Sequence, residues 1–254
     1  MNFCVLASGS KGNSTYIECS NTRILIDIGM SSLYIENNLR QLEINPAHID
    51  GVLITHTHAD HINGLRVFVK KYNPTIYLTQ KMLDDICNIF PLSNYVIIDK
   101  EFQIKDLFIE VIKLSHDASD ANGYIVNGND QAVVYITDTG YINFKNHKKL
   151  QNKNAYIMES NHDVEMLMEG KYPYHLKKRV FSDKGHLSNI DSSNYLMKFI
   201  GENTKYIVLA HLSQENNTFQ KARECLETRL SEEKKEVEHI IIATQNEKTE
   251  LMKV

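Results

Sequence analysis

Three imidazoles and one carboxylate fall within six consecutive residues, His56-Thr57-His58-Ala59-Asp60-His61. Neutral imidazole nitrogen and carboxylate oxygen both suit zinc, manganese or iron, and the cluster lacks the cysteine that a softer site would use. A lone histidine in a polar loop usually has no such role, but four ligand-type side chains in six positions describe a loop that grips transition metals. The apolar run Val52-Leu53-Ile54 leads directly into it. A strand ending at Thr55 would release the backbone into a tight turn, letting His56 and His58 point together while Asp60 and His61 face a neighbouring point. Two divalent cations per chain are therefore expected, Zn2+ or Mn2+ first, with Fe also compatible. Held about 3.5–4 Å apart, such a pair polarises an electrophile and lowers the pKa of a shared water, so hydrolysis needs no activated serine or cysteine.

The elements that must position this loop follow from the hydrophobic pattern. Short β-branched runs at Phe3–Ala7, Thr15–Cys19 and Arg23–Asp27 predict an opening β-meander. Ser31 can cap a helix running to about Leu42, Gly51–Ile54 supplies the strand before the histidines, and Leu65–Tyr72 reads as the helix after them. Further strands are expected at Thr75–Leu78, Tyr95–Ile98, Phe108–Leu114, Gly123–Val126 and Ala132–Ile136, with a helix near Lys81–Phe90. In the second half Tyr156–Met158 and Tyr206–Leu209 are strand-like, Ser188–Ile200 and Phe219–Leu230 are helical, and Glu238–Ala243 closes with an apolar run. There is no short-period repeat and no low-complexity linker. Two sheets with helices outside fit best, an α/β sandwich forming one catalytic domain over residues 1–254.

A chain of 254 residues, 42% of them hydrophobic, can bury a core of that size. Cys4, Cys19, Cys87 and Cys225 lie far apart without a C-x-x-C pair, and the first residues lack the charged and long apolar regions of a secretory signal. A reducing, cytoplasmic setting is expected. Nowhere do about eighteen apolar residues run together, which argues against a membrane span. The net charge of -4 argues against a globally basic nucleic-acid-binding surface but leaves room for a local basic strip beside a site.

Three more ligand types stand at the ends of expected strands, where loops on a rigid scaffold collect function: His116 after Leu114, Asp138 after Tyr135-Ile136-Thr137, and His211 after Leu209-Ala210. With T-H-x-H-x-D-H at 55–61, Ser115-His116, Thr137-Asp138-Thr139-Gly140 and Ala210-His211, the chain resembles the metallo-β-lactamase fold superfamily in motif order and spacing. The resemblance implies an αββα sandwich, two mixed β-sheets flanked by helices. It implies that His56, His58 and His116 hold one metal, that Asp60, His61 and His211 hold the other, and that Asp138 bridges them. Asp27, in Leu25-Ile26-Asp27-Ile28-Gly29, matches a superfamily aspartate that supports the metal loop without ligating. Such a centre selects no substrate by itself, since phosphodiesters, thioesters, lactones and lactams all present an electrophilic centre bearing oxygen. The first loop lacks the acidic residues of the flavodiiron branch, so dioxygen chemistry is not expected. The missing export signal and the presence of His61 count against the secreted antibiotic-degrading relatives.

A narrower resemblance rests on Ala7-Ser8-Gly9-Ser10-Lys11-Gly12-Asn13-Ser14, Met158-Glu159-Ser160-Asn161-His162-Asp163, Leu176-Lys177-Lys178-Arg179 and Gly185-His186-Leu187-Ser188-Asn189. These segments look like the bacterial YycJ/WalJ group, which implies DNA exonuclease activity from 5′ ends and a place in DNA repair. In related nucleases a glutamate and a histidine cooperate near the leaving oxygen, and they map onto Glu159 and His186. A departing alkoxide gains from a proton or a charge-assisted hydrogen bond. Asp60 joins Glu159 and His186 in the expected catalytic set. The bland alternative has Glu159 capping a loop while Gly185-His186 merely starts a helix. His162 stays outside the set, because seven residues already complete both metal positions. Lys177, Lys178, Arg179 and Ser188 are candidate substrate contacts, the cations neutralising phosphates and Ser188 offering amides at a helix start; their competing reading is a solvated helix face. The Gly- and Asn-rich stretch Ser10–Ser14 is either a hairpin turn or a backbone contact to phosphate.

Only 72 residues separate Asp138 from His211, too few for the β-CASP domain inserted there in large RNA-processing relatives. No Gly/Pro-rich arm of the transfer-RNA-processing kind is present either. DNA is the expected partner, with RNA second and no membrane. The alternative is a small-molecule metallohydrolase, a glyoxalase II-like thioesterase or a cyclic phosphodiesterase, with which the negative charge is compatible. A noncatalytic binding protein on the same fold would need broken metal positions, and none is broken.

Overall fold

In the computed structural model, which describes residues 1–254, three antiparallel strands come first: β1 (Asn2–Ala7), β2 (Ser14–Cys19) and β3 (Thr22–Ile26). Helices then alternate with strands through α1 (Ser32–Gln41), β4 (Gly51–Leu53), α2 (Ala59–Ile62), α3 (Leu65–Tyr72), β5 (Thr75–Leu78), α4 (Gln80–Cys87) and β6 (Tyr95–Ile97). A second antiparallel set follows: β7 (Glu101–Ile104), β8 (Leu107–Lys113), β9 (Asn122–Gly128) and β10 (Gln131–Ile136). The chain continues through α5 (His147–Leu150), β11 (Ala155–Glu159), α6 (Val164–Glu169), α7 (Tyr174–Val180), α8 (Asn189–Phe199), β12 (Tyr206–Ala210), α9 (Phe219–Glu232), β13 (His239–Ile242) and β14 (Met252–Lys253).

These strands make two seven-stranded mixed sheets, ordered β14-β1-β2-β3-β4-β5-β6 and β13-β12-β11-β10-β9-β8-β7. Each is antiparallel along one half and parallel along the other, with β3–β4–β5–β6 and β10–β11–β12–β13 the parallel sets. The layering follows from side-chain alternation along each strand. Phe3 and Val5 of β1 face a central core between the sheets, while Cys4 and Leu6 face an outer core. In β10, Val133 and Tyr135 enter the same central core and Val134 and Ile136 the opposite outer one. Strands buried on both faces read as nearly continuous apolar runs, as in Tyr206-Ile207-Val208-Leu209-Ala210. The outer cores are closed by amphipathic helices. Ile35 and Leu39 of α1, Phe68 of α3 and Met82 and Ile86 of α4 cover one sheet; Leu196 and Phe199 of α8 and Ala222, Leu226 and Leu230 of α9 cover the other.

The sandwich is thus the αββα arrangement. The elements that sequence reading missed are β7, β14 and the short α2, α5, α6 and α7, α2 being a single turn inside the stretch read as a tight loop. Strand β7 lies on a sheet edge with only Ile104 buried, β14 is two residues long, and α7 buries only Val180, so none carries a readable apolar period. No helix is long and apolar enough to cross a membrane.

Candidate metal centre

Every side chain of the centre leaves its strand or loop at the same rim of the sandwich. Eleven non-glycine residues have positive φ, and eight of these are exposed turn positions. The three buried ones are Asp27 (φ 60°), Asp138 (φ 58°) and His211 (φ 55°), standing just beyond β3, β10 and β12. A left-handed backbone costs such residues of order 1–3 kcal/mol and persists where surrounding structure over-determines it. Here it turns the chain sharply at a strand end and directs the side chain inward.

The histidine loop is held by its own neighbours. Ile28 N–H donates to the His61 carbonyl and Asn13 N–H to the Asp60 carbonyl, at 2.9 and 2.8 Å. At Gly29 an added Cβ would lie 1.7 Å from the Asp60 carbonyl oxygen, so only glycine permits this approach. Fully buried Asp27 accepts from Thr55 N–H (2.8 Å), from Thr55 Oγ1 (2.7 Å) and from His61 Nδ1 (2.7 Å). That contact fixes the His61 tautomer and aims its Nε2 at the centre. His116 is oriented in the same way, Nδ1 donating to the Gly185 carbonyl at 3.2 Å.

Two overlapping triads result. His56, His58 and His116 bring one donor atom each within 4.8 Å of one another, and so do Asp60, His61 and His211. Asp138 stands between them: its Oδ2 is 3.3 Å from His61 Nε2, and its Oδ1 is 3.4 Å from His211 Nε2 and 3.9 Å from His116 Nε2. His56 Nε2, His211 Nε2 and Asp138 Oδ2 are buried without a hydrogen-bond partner. Buried polar atoms are seldom left so, and a divalent cation accepts lone pairs from all three. The donor set fits divalent metal binding.

The field within the site separates the two triads. Burial, together with the neighbouring His61 charge, pushes His56 well below the ordinary histidine range, and burial also lowers His116. Burial opposes the rise of His211, but the Asp138, Asp60 and Glu159 carboxylates lift it to about 10. For His61 burial is likewise outweighed, by Asp27 and Asp138, which raise it well above 6.5. Conversely, burial would raise Asp138, yet the facing His211 and His61 hold it well below the usual carboxylate range. His56 and His116 are therefore held neutral, whereas His61 and His211 must release protons before they can ligate.

Glu159, at the end of β11, is wholly buried and shared. Its Oε1 accepts from His186 Nδ1 at 2.7 Å and from His211 Nδ1 at 3.0 Å, while Oε2 accepts from the Thr139 and Leu187 amides at 3.1 and 3.0 Å. Although burial alone would raise it, His186 and His211 draw its pKa down to about 2. The carboxylate thus orients a histidine of the metal cluster as well as His186. The His186 side chain is 17% exposed, and its Nε2 makes no hydrogen bond within the chain. Asp60, with a half-buried side chain, faces His61 and His211.

The residues expected to meet substrate are placed unevenly. Ser188 is buried, and its Oγ accepts from the Asp191 N–H and donates to the Asp191 carboxylate, so it caps α8 and does not face a phosphate. Arg179 is paired with Asp117, whose other oxygen is 3.4 Å from His116 Nε2, and so borders the centre. Lys177 donates to the Met168 carbonyl, and Lys178 is exposed on α7. The Ser10–Ser14 loop is a strut: Asn13 Nδ2 lies 3.1 Å from His61 Nε2 and 3.3 Å from Asp60 Oδ2, and the Lys11 amide is taken by Gln245. Thr55, Thr139, Ser8 and Asn161 stand in the motif segments but were given no role there; Ser8 Oγ accepts from the His211 amide at 2.7 Å, and Asn161 donates to the His211 carbonyl at 2.9 Å. Adjacency to a ligand motif was the available signal for Thr55, Thr139 and Asn161; for Ser8 it was membership of the segment Ala7–Ser14.

Comparison with known proteins agrees with this geometry. Residues 22–207 match the family described as a beta-lactamase superfamily domain. The exodeoxyribonuclease YycJ of Bacillus anthracis is 37% identical over 230 residues, spanning 88% of this chain and 86% of the relative. The exodeoxyribonuclease WalJ of Streptococcus pneumoniae serotype 2 is 38% identical over 222 residues, with 85% and 82% covered. The metallo-β-lactamase fold protein YhfI from Bacillus subtilis superposes with a TM-score of 0.73 over 98% of this chain and 99% of its own at 15% identity, a likeness of fold alone. The chain belongs to the metallo-β-lactamase superfamily and, within it, to the YycJ/WalJ group.

Proposed function

We propose that this protein is a binuclear metal-dependent phosphodiesterase, an exodeoxyribonuclease working from 5′ ends as one cytoplasmic catalytic domain. The observation that carries the reading is the Glu159–His186 pair set directly against the metal-ligand cluster, in a chain more than a third identical to two exodeoxyribonucleases. His56, His58 and His116 would hold one cation and Asp60, His61 and His211 the other, with Asp138 common to both. Zn2+ or Mn2+ suits this nitrogen and oxygen set best. Bound there, the cations supply Lewis acidity toward a phosphoryl oxygen and a water nucleophile at neutral pH.

The remaining steps belong to the chain. Glu159 holds the His186 ring by accepting from Nδ1 and leaves Nε2 free to face the departing oxygen. When the bond from phosphorus to that oxygen breaks, Nε2 gives its proton to the alkoxide, the role general acids fill with gains of typically 10²–10⁴-fold. Arg179, anchored by Asp117 beside His116, and exposed Lys178 supply positive charge for adjoining phosphates. Free cysteines throughout agree with a reducing compartment.

The test is end-resolved digestion of 5′- and 3′-labelled DNA and RNA by protein reconstituted with Zn2+, Mn2+ or Fe2+, beside a thioester and a cyclic nucleotide. Successive release of nucleotides from 5′ DNA ends is expected. Turnover of the thioester or cyclic nucleotide with no DNA cleavage under any metal overturns the assignment.

A further inference from the structure

Beside the metal centre lies a second cavity of about 390 Å³, within the roughly 300–1,000 Å³ typical of small-ligand sites. Its walls include Tyr141, His162, Phe181, His186, Asn194 and Tyr195. His186 belongs to both places: its Nδ1 is tied to Glu159, and its ring closes one side of the cavity.

His162 is the informative residue. It is 1% exposed, yet neither ring nitrogen has a hydrogen-bond partner. A buried imidazole left so loses the hydrogen bonds it would make in water. Burial pushes its pKa down to about 4, which keeps the ring neutral with one donor and one acceptor to offer. Phe181, with its ring centroid 6.1 Å from that of His162, is 52% exposed, and Tyr141 is 41% exposed. Aromatic faces beside in-plane donors and acceptors match a flat heterocycle with hydrogen-bonding edges, and stacking of this kind is how proteins grip unpaired bases. A phosphate suits the cavity poorly, because Asp183 and Asp191 also line it and its one cation, Lys198, sits 5.4 Å over the Tyr195 ring.

We propose that this cavity holds the base of the 5′-terminal nucleotide, the one that departs; the inference rests on the 5′-exonuclease reading above. In that reaction a water oxygen bonds to phosphorus and gives up a proton to solvent, the bond from phosphorus to the terminal nucleotide's 3′ oxygen breaks, and His186 donates its Nε2 proton to that oxygen and regains one from solvent. The ring that serves the leaving oxygen is also a wall of the cavity, so the base of the leaving nucleotide is the one within reach.

The experiment uses the metal-loaded protein and two DNA substrates, one intact and one carrying a tetrahydrofuran abasic residue at its 5′ terminus. Loss of the terminal base should raise KM roughly 5- to 150-fold, the range of one lost base–aromatic stack. In Phe181→Ala, where an exposed side chain is changed, the intact-to-abasic ratio should collapse toward one. A parallel calorimetric titration with a 5′-deoxynucleoside monophosphate should show binding that weakens in Phe181→Ala, with deoxyribose 5-phosphate binding no better to wild type than to the variant. Equal KM for intact and abasic ends overturns the cavity assignment while leaving the exonuclease reading in place. Mononucleotide binding that depends on Phe181, in a protein that cleaves no DNA, upholds the cavity and overturns the exonuclease reading instead.

Discussion

On the first sheet, the contributions come from short segments: the loop His56–His61 after β4, Asp27 after its neighbour β3, and Ser8 and Asn13 from the β1–β2 connection. On the second sheet, His116, Asp138, Glu159 and His211 follow four different strands, β8, β10, β11 and β12. The first contribution is shaped by local turns, such as the approach of Gly29 to Asp60. In the second, Asp138, Glu159 and His211 depend on parallel register, with Ile136 opposite Met158 and Glu159 opposite Ala210, while His116 follows an antiparallel strand, so that residues distant in sequence end at one level. The difference teaches that half of this centre is a motif and half is a property of the assembled sheet, and the two halves should respond differently to damage.

Asp138 is where they meet, facing His61 on one side and His116 and His211 on the other. Asp138→Ala should abolish the distinction by weakening both positions together. Turnover should fall by roughly a thousandfold or more, about 4 kcal/mol of lost charge stabilisation. Metal content by elemental analysis should drop at the same time. Full metal retention in this variant would show that the triads do not share Asp138.

His186→Ala should lower phosphodiester turnover by about 10²- to 10⁴-fold with metal content nearly intact. Metal loss instead would move His186 into the ligand set. The two supporting carboxylates sharpen the contrast between the sheets. Asp27→Asn acts only on the histidine loop and should weaken metal binding by about 10- to 100-fold. Glu159→Gln touches both His211 and His186, so it should reduce metal affinity and also lower turnover at saturating metal. Identical profiles for the two variants would erase the proposed difference.

Much of this was legible in the primary structure, unevenly. The loop His56–His61 announced itself because four donors fall within six residues, and the apolar strands of the sandwich were readable because burial on both faces leaves unbroken hydrophobic runs. His116, Asp138 and His211 gained meaning only from their places after such runs and from the family resemblance. The role of Ser8 could not be read from its segment, since its bond to His211 spans 203 positions. Ser188 misled for a different reason: serine at a helix start serves capping and anion binding equally well, and only its burial against Asp191 separates the two.

Acidity tests the electrostatic side of the comparison. In chelator, His211, raised from 6.5 to about 10, adds stability that is fully present below pH 6.5 and lost as pH climbs through about 10. Glu159, lowered from 4.5 to about 2, adds stability present above pH 4.5 and lost as pH falls through about 2. Through these two groups, the metal-free protein should be most stable between pH 4.5 and 6.5. Metal should flatten the alkaline arm, because a cation replaces the proton on His211. Melting curves across pH, with and without Zn2+, measure this; an alkaline decline unchanged by metal would place His211 outside the ligand set.

The smallest expected effect separates the α8 cap from a phosphate contact. Ser188→Ala removes a side-chain acceptor for the Asp191 N–H and the hydroxyl that donates to the Asp191 carboxylate. A lost N-cap costs about 1 kcal/mol, which lowers Tm by roughly 2–4 °C in a chain of this size. KM for DNA and its salt dependence should stay as in wild type, because a buried hydroxyl directed at Asp191 has no phosphate to release. A shallower salt slope with unchanged Tm would return Ser188 to the substrate path and leave the α8 terminus without its assigned cap.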